Sequence, residues 1–253
     1  LTGDACVAAI LMAIEAGFRH IDTAQMYGNE SETGRAIAAA GLKRDELFVV
    51  TKVMPANIRQ ELFIDSVRRS LDVLGLDQVD LLLIHWPPRD GFDVAVGCLN
   101  EALDRRLTRK IGVSNFTIAQ MRRAQELSSG RLVNNQVEFQ PLLDQSRLKA
   151  AAEALGICLS AYSPLGRGLV LKEPAVQQIA DRLGRPPAEI VLRWIIQQGV
   201  VAIPMTTRRS NAESNLRALE FDLSDADMTA ITRLNTQNRR LISPVAWAPE
   251  WDN

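Results

Sequence analysis

The sequence predicts an α/β protein in which parallel strands alternate with helices, and two observations predict it. Seven short runs rich in apolar residues end near residues 22, 52, 85, 114, 138, 162 and 204. Between consecutive runs lies at least one stretch with helical spacing of its apolar residues. Strands joined through helices are βαβ units, which build parallel sheets. An open doubly wound sheet and a closed (β/α)8 barrel both satisfy that alternation. No GxGxxG follows any strand, which argues against a dinucleotide-binding doubly wound sheet. A barrel needs eight strands. Since the chain starts inside a helix, the eighth is expected upstream of Leu1.

Taken in order, residues 5–16 read as a helix stopped by Gly17, and Phe18 to Thr23 as the first strand. Glu30 to Ala40 is helical, with Gly41 as its stop, and Leu47 to Lys52 is the second strand. Residues 58–74 carry Leu62, Val67, Leu71 and Leu74 near helical spacing, with Arg68, Arg69 and Asp72 on other faces. Val79 to Ile84 is almost wholly apolar and ends at His85, Trp86 and two prolines, which cannot extend a ladder. Helix 94–107, strand 110–113, helix 117–128, strand 135–139, helix 145–155 and strand 157–162 follow. Helices 173–183 and 187–198 come next, Pro186 and Pro187 suiting the start of the second. Strand 200–203 and helices 210–219 and 224–234 close the regular part. Nothing marks a linker, so one domain is expected over 1–253, with residues 235–253 as an ordered, irregular tail.

The chain has 253 residues, 47% of them hydrophobic, with a formal net charge of -1, enough apolar material for a large core. That neutral balance gives no reason to expect nucleic acid or an acidic membrane as partner. No apolar run reaches the roughly 18 residues of a membrane span. Cys6, Cys98 and Cys158 lie far apart, with no CxxC pair, which fits buried thiols in a reducing, cytoplasmic setting.

In a barrel, the C-terminal strand ends share one mouth, where active sites are built. The residues there are Asp22, Lys52, His85, Ser114, Asn115, Gln136 or Glu138, Tyr162 and Pro204, with Tyr27 just beyond Asp22. Three ionisable groups at successive strand ends are costly to bury unless paired or used. A lysine ammonium beside a phenol favours the phenolate, which poises Tyr27 to give or take a proton. Asp22 would hold Lys52 charged and in place, and His85 would orient a substrate oxygen. Such a set protonates a carbonyl oxygen and has neither nucleophile nor metal ligands, so the electrons must come from a hydride-donating cofactor. His20, the second of two histidines, lies inside a strand and is read as structural. The two histidines form no HxH pair and no GxSxG is present, so metal and serine hydrolases are poorly supported.

These residues carry a resemblance. Gly17 to Ala24 followed by Tyr27-Gly28-Asn29-Glu30, then Thr51-Lys52, Leu83 to Pro87, Ile111 to Phe116, Asn135 to Glu138 and Tyr162 to Gly166 resemble the aldo-keto reductase family, in family order and spacing over nearly the whole chain. Glu213 to Leu216 and the C-terminal run from Arg240 to Asp252 are similar to one bacterial branch of that family. The resemblance implies a (β/α)8 TIM barrel, its first strand upstream of residue 1, that binds NADPH, with NADH as the second choice, as a monomer. It implies Asp22, Tyr27, Lys52 and His85 as the catalytic tetrad. Ser114, Asn115 and Gln136 match positions that hold the nicotinamide amide, and Tyr162 the aromatic that stacks on its ring. Ser163, Leu165 and Gly166 match the pyrophosphate loop, beside which Arg167 could add charge. The usual lysine and arginine for the adenosine 2′-phosphate are absent. Thr206 and Asn215 stand in that region, with Arg208 and Arg209 between them to supply the charge. Met54 and Trp86, with Tyr27 and His85, are the expected substrate contacts, and Trp247 either reaches the mouth or anchors the tail. The implied activity is NADPH-dependent reduction of small aldehydes and ketones. The alternative from another class is a cofactor-binding, redox-sensing subunit with little turnover.

Overall fold

In a computed structural model, residues 1–252 are described, so Asn253 at the end of the expected tail lies outside them. The chain divides into two compact units, residues 1–135 with 245–250, and residues 136–244 with Trp251 and Asp252.

The first unit holds α1 (Gly3–Ala16), β1 (His20–Asp22), α2 (Glu30–Ala39), β2 (Phe48–Val53), α3 (Gln60–Leu74), β3 (Leu81–Ile84), α4 (Phe92–Asp104), β4 (Ile111–Ser114) and α5 (Ile118–Leu127). Strand β5 (Leu132–Glu138) carries the chain into the second unit. That unit holds α6 (Ser146–Ala154), β6 (Cys158–Tyr162), α7 (Pro174–Leu183), α8 (Pro187–Gln197), β7 (Val201–Ala202), α9 (Arg209–Arg217) and α10 (Asp225–Thr232).

Helix ends follow local chemistry. Gly17 ends α1 with φ 119, and Phe18 N–H reaches back to the Ala13 carbonyl at 3.0 Å. Gly75 ends α3 in the same way, with Leu76 N–H on the Leu71 carbonyl at 3.0 Å. Thr117 and Gln120 close a capping box at the start of α5, as Ser224 and Asp227 do at α10. Pro187 occupies the first turn of α8, where no amide hydrogen is needed. Along α3 the buried Phe63, Ile64, Val67, Leu71 and Leu74 form one apolar face.

In the first unit the strands pair in parallel and in chain order, β1 with β2, β2 with β3, β3 with β4; in the second β6 pairs with β7 in parallel. Neighbours in chain order, with helices between them, are the winding of a (β/α)8 barrel rather than of a sheet with a switch point. Val50, Leu81 and Leu83 form a buried cluster with Phe48 and Val133 packed on it. Gly112 in β4 is needed for this closeness: a Cβ there would lie 2.7 Å from the Asn134 carbonyl oxygen and from Leu83 Cδ2.

The register decides which side chains meet. Asp22 is level with Val50, and Lys52 with Leu83. Thr23 N–H bonds the Val50 carbonyl at 2.9 Å, and His85 N–H the Val53 carbonyl at 3.1 Å. The strand ends that carry Asp22, Lys52 and His85 are therefore stepped against one another by backbone bonds.

Several boundaries differ from expectation. Strand β5 starts three residues earlier than read, and β7 shrinks to two residues, because ladder partners rather than composition set strand length. Helix α4 runs from Phe92 to Asp104, not 94–107. Cys6 and Cys98 are buried as expected, but Cys158 is exposed, a correction. It opens β6, where its side chain is not on the covered face. Among the described residues no helix is long and apolar enough to cross a membrane.

Part of the tail bonds to Glu138, a fully buried carboxylate at the end of β5. It accepts the Leu241 amide at 2.9 and 3.1 Å and the Ile242 amide at 2.8 Å. Arg240 stacks its guanidinium over the Trp251 ring at 3.7 Å. Val245–Glu250 belongs to the first unit, where Arg89 donates to the Val245 carbonyl at 2.8 Å.

Candidate active site

The first unit gathers four of the expected residues. Asp22 is the last residue of β1, Lys52 lies one before the end of β2, and His85 directly follows β3. Tyr27 ends a 3-10 turn, Gln25–Tyr27, closed by Gly28 in the left-handed region. Lys52 is fully buried, and its Nζ donates to Asp22 Oδ1, to the Thr23 carbonyl at 3.0 Å and to Tyr27 Oη at 3.4 Å. Tyr27 meets His85 edge-on, ring centroids 5.5 Å apart at 85°. Tyr27 is 45% exposed, so it is accessible from solvent.

The electrostatics separate the roles. Burial alone would push the Lys52 ammonium towards neutrality, but the Asp22 carboxylate and the Tyr27 oxygen outweigh it, and its pKa stands above the ordinary lysine value. For His85, burial and then the Lys52 charge depress the pKa from 6.5 to about 3, with Asp22 opposing. His85 is therefore a neutral imidazole at physiological pH. It can donate or accept a hydrogen bond but has no proton to give as an acid. Its Nδ1 is buried without a partner among the described residues. His20 is also pushed down, by burial first, and packs on Phe48 at 5.1 Å.

That neutrality predicts a pH effect. The folded pKa of His85 lies below the unfolded one, so the unfolded chain binds the extra proton between pH 6.5 and about 3. Stability falls as pH drops through that window, with a slope of up to about 1.4 kcal/mol per pH unit from this one group. Urea unfolding of His85→Gln should show a flatter decline there than the wild type; equal slopes would refute the assignment.

A second layer, not foreseen from the sequence, supports the four. Glu30 accepts Thr51 Oγ1 at 2.6 Å and Ser70 Oγ at 3.1 Å, and burial raises its pKa against the pull of those bonds and of Lys52. Thr23 Oγ1 donates to Asn29 Oδ1 at 2.9 Å across the base of the Tyr27 loop. Asn29, Glu30 and Thr51 stand in the sequence only as parts of the runs that carry the family resemblance, without a role. Ser114 and Asn115 are buried at the end of β4. Asn115, at φ 64, turns its Nδ2 to the His85 carbonyl at 3.0 Å and to Ser114 Oγ at 3.1 Å. Met54 is half-buried past β2, and Trp86 is buried next to His85.

The remaining candidates belong to the second unit. Gln136 is buried in β5, and Tyr162 ends β6 half-buried. After it, Ser163, Gly166, Arg167 and Gly168 all have positive φ, so the loop carrying Leu165 curls tightly. Arg208 caps α9, its N–H on Thr206 Oγ1 at 3.1 Å, and Arg209 opens the helix 3.7 Å from Glu213. Asn215 is buried in α9. Its neighbour Ser214 donates to the buried Glu189 at 2.7 Å, which also holds Arg217 at 2.8 Å and Arg185 at 3.0 Å. A helix start, a hydroxyl and two exposed guanidinium groups are a donor set suited to a phosphorylated cofactor such as NADPH, so these residues fit that group.

Comparison with known proteins identifies the family. A family model described as "Aldo/keto reductase family" matches residues 3–236. A "Methylglyoxal reductase DkgB" of Yersinia pestis is 42% identical over 248 residues, 96% of this chain and 92% of the relative. The protein of the same name from Escherichia coli O157:H7 is 40% identical, covering 100% of this chain and 96% of the relative. A crystal structure whose description proposes a 2,5-diketo-D-gluconic acid reductase B superposes with a TM-score of 0.97 at 39% identity, covering 100% of this chain and 91% of that one. The Bombyx mori aldo-keto reductase in complex with NADP gives 0.91 at 33% identity, covering 99% and 89%. The bacterial branch recognised from Glu213–Leu216 and the C-terminal run is that of 2,5-diketo-D-gluconate reductase B. The chain belongs to the aldo-keto reductase family, a (β/α)8 oxidoreductase that acts on carbonyl groups with NADPH.

Proposed function

We propose that this enzyme reduces small aldehydes and ketones to alcohols, methylglyoxal and 2,5-diketo-D-gluconate among them, with Tyr27 as the proton donor. The observation that carries the reading is the buried Lys52 ammonium, held by Asp22 and in contact with the phenol oxygen of Tyr27. NADPH, when bound, supplies the hydride. Asp22 keeps Lys52 charged. Lys52 stabilises the phenolate left when Tyr27 gives up its proton to the carbonyl oxygen. His85, neutral, orients that oxygen by a hydrogen bond. Met54 and Trp86 are proposed to bound the substrate. The two named substrates come from the relatives' descriptions, and both are small and oxygen-rich.

For the cofactor, Ser114, Asn115 and Gln136 are proposed to hold the nicotinamide amide and Tyr162 its ring. Ser163, Leu165 and Gly166 are assigned to the pyrophosphate, and Thr206, Arg208, Arg209 and Asn215 to the adenosine end. The test is NADPH consumption against methylglyoxal, a diketo sugar acid and an aromatic aldehyde, in wild type and in a chain with Arg208→Ala and Arg209→Ala. Wild type should turn over methylglyoxal. The double variant should raise the KM for NADPH about tenfold or more, the worth of a lost charge-assisted bond, and leave that for NADH unchanged. Cofactor binding with no turnover of any carbonyl would overturn the proposal, and an unchanged NADPH KM would remove the arginines from it.

A further inference from the structure

Tyr27 is nearly half exposed, so its contacts with Lys52 and His85 cover only part of the side chain, and its position depends also on the turn that carries it. That turn begins at Gln25, whose side chain points away from solvent into a set of polar partners. Its Nε2 faces the Ser66 carbonyl at 3.2 Å, Ser66 Oγ at 3.3 Å and Ser70 Oγ at 3.1 Å, all on α3. Its Oε1 accepts the Met54 amide at 3.0 Å and Asn57 Nδ2 at 2.9 Å. Both ends of the amide are thus used. Ser66 and Ser70 are themselves buried, and Ser70 also donates to Glu30, which accepts from Thr51 beside Lys52.

We propose that Gln25 is a positioning residue that fixes the Tyr27 turn to the Met54–Asn57 segment and to helix α3, setting both the reach of the proton donor and one wall of the carbonyl pocket. The inference rests on Tyr27 as the acid and on Met54 as a pocket residue. Three elements converge on one side chain: the turn with the phenol, the segment that follows β2 and the buried face of α3. A leucine or methionine would fill the same volume but would leave the Met54 amide and Asn57 without their acceptor. The two loops would then shift independently. Reactions that depend on aligned donors lose rate steeply with small displacements. The loss should therefore appear in kcat and in discrimination between carbonyls of different bulk, not in cofactor binding.

The experiment compares wild type, Gln25→Met, Asn57→Ala and Tyr27→Phe by steady-state kinetics on methylglyoxal and on a bulky aromatic aldehyde, with NADPH binding measured by fluorescence and folding by thermal melts. Gln25→Met should lower kcat about tenfold and change the ratio of KM values for the two carbonyls, while its NADPH dissociation constant stays that of the wild type. Asn57→Ala, which removes one partner and leaves Gln25 in place, should move the KM ratio in the same direction with a smaller effect on kcat. If Gln25→Met loses only melting temperature, with wild-type kcat and KM ratio well below its melt, the proposal is overturned. If Gln25→Met does not fold, Asn57→Ala decides, and a wild-type KM ratio there overturns it. An active Tyr27→Phe would instead defeat the acid assignment and this inference with it, so the two failures are told apart.

Discussion

Tyr27→Phe is expected to lower kcat by about 10²- to 10⁴-fold, the usual worth of a general acid, while NADPH still binds. The expectation follows from exclusion among the four clustered groups. Lys52 is fully buried and held charged by Asp22, so its proton is not available near neutral pH. His85, with a pKa of about 3, is neutral. The Tyr27 phenol is exposed on one side and in contact with the ammonium on the other. Phenylalanine keeps the ring, its edge contact with His85 and the turn, and removes only the oxygen. Single-turnover measurements with a small aldehyde, beside a direct NADPH titration, check it. Retained turnover in Tyr27→Phe would mean that the proton comes from water or from His85, and the reading of the site would have to be rebuilt.

Lys52→Met should have the second largest effect, and it should be seen in stability as well as in rate. The substitution fills similar volume but leaves Asp22, almost wholly buried, without its cation. Removing one partner of a buried ion pair costs about 3 to 5 kcal/mol, because the other charge stays desolvated. Turnover should fall together with stability, since the phenolate loses the charge that stabilises it. Adding Asp22→Asn to Lys52→Met should recover part of the stability and none of the activity. Urea unfolding of the single and double variants tests this. If the two are equally stable, the carboxylate is not stranded by the loss of Lys52, and the pair does not hold the site as described.

Most helix limits and the alternation of elements were readable because their causes are local. Gly17 and Gly75 end helices through their own backbone freedom, and Thr117 caps α5 through a residue three positions on. The apolar run Leu81–Ile84 announces a covered strand by composition alone. Strand lengths were less readable, since β7 keeps only the residues that find a ladder partner.

The residues Asp22, Lys52 and His85 could be named from the sequence because each stands at or beside the end of a strand. The expected pairing of Asp22 with Lys52 is present, and its geometry comes from the register: Asp22 is level with Val50, and Lys52 sits two residues further along. The depressed pKa of His85 likewise comes from burial and from a charge 33 positions away in the chain, quantities absent from any local window. Gln25 carries no local signal of its role, since its partners on α3 lie 41 and 45 residues on. Glu138 was read as one of several strand-end groups, yet its carboxylate is used by amides 103 and 104 residues later. The sequence by itself determined the order of elements, their caps and the kinds of groups at the strand ends, because those follow from neighbours along the chain. Only the tertiary structure decided how deeply these groups are buried and which distant amides and hydroxyls they bond, because desolvation and distance arise when separate strands and helices are packed together.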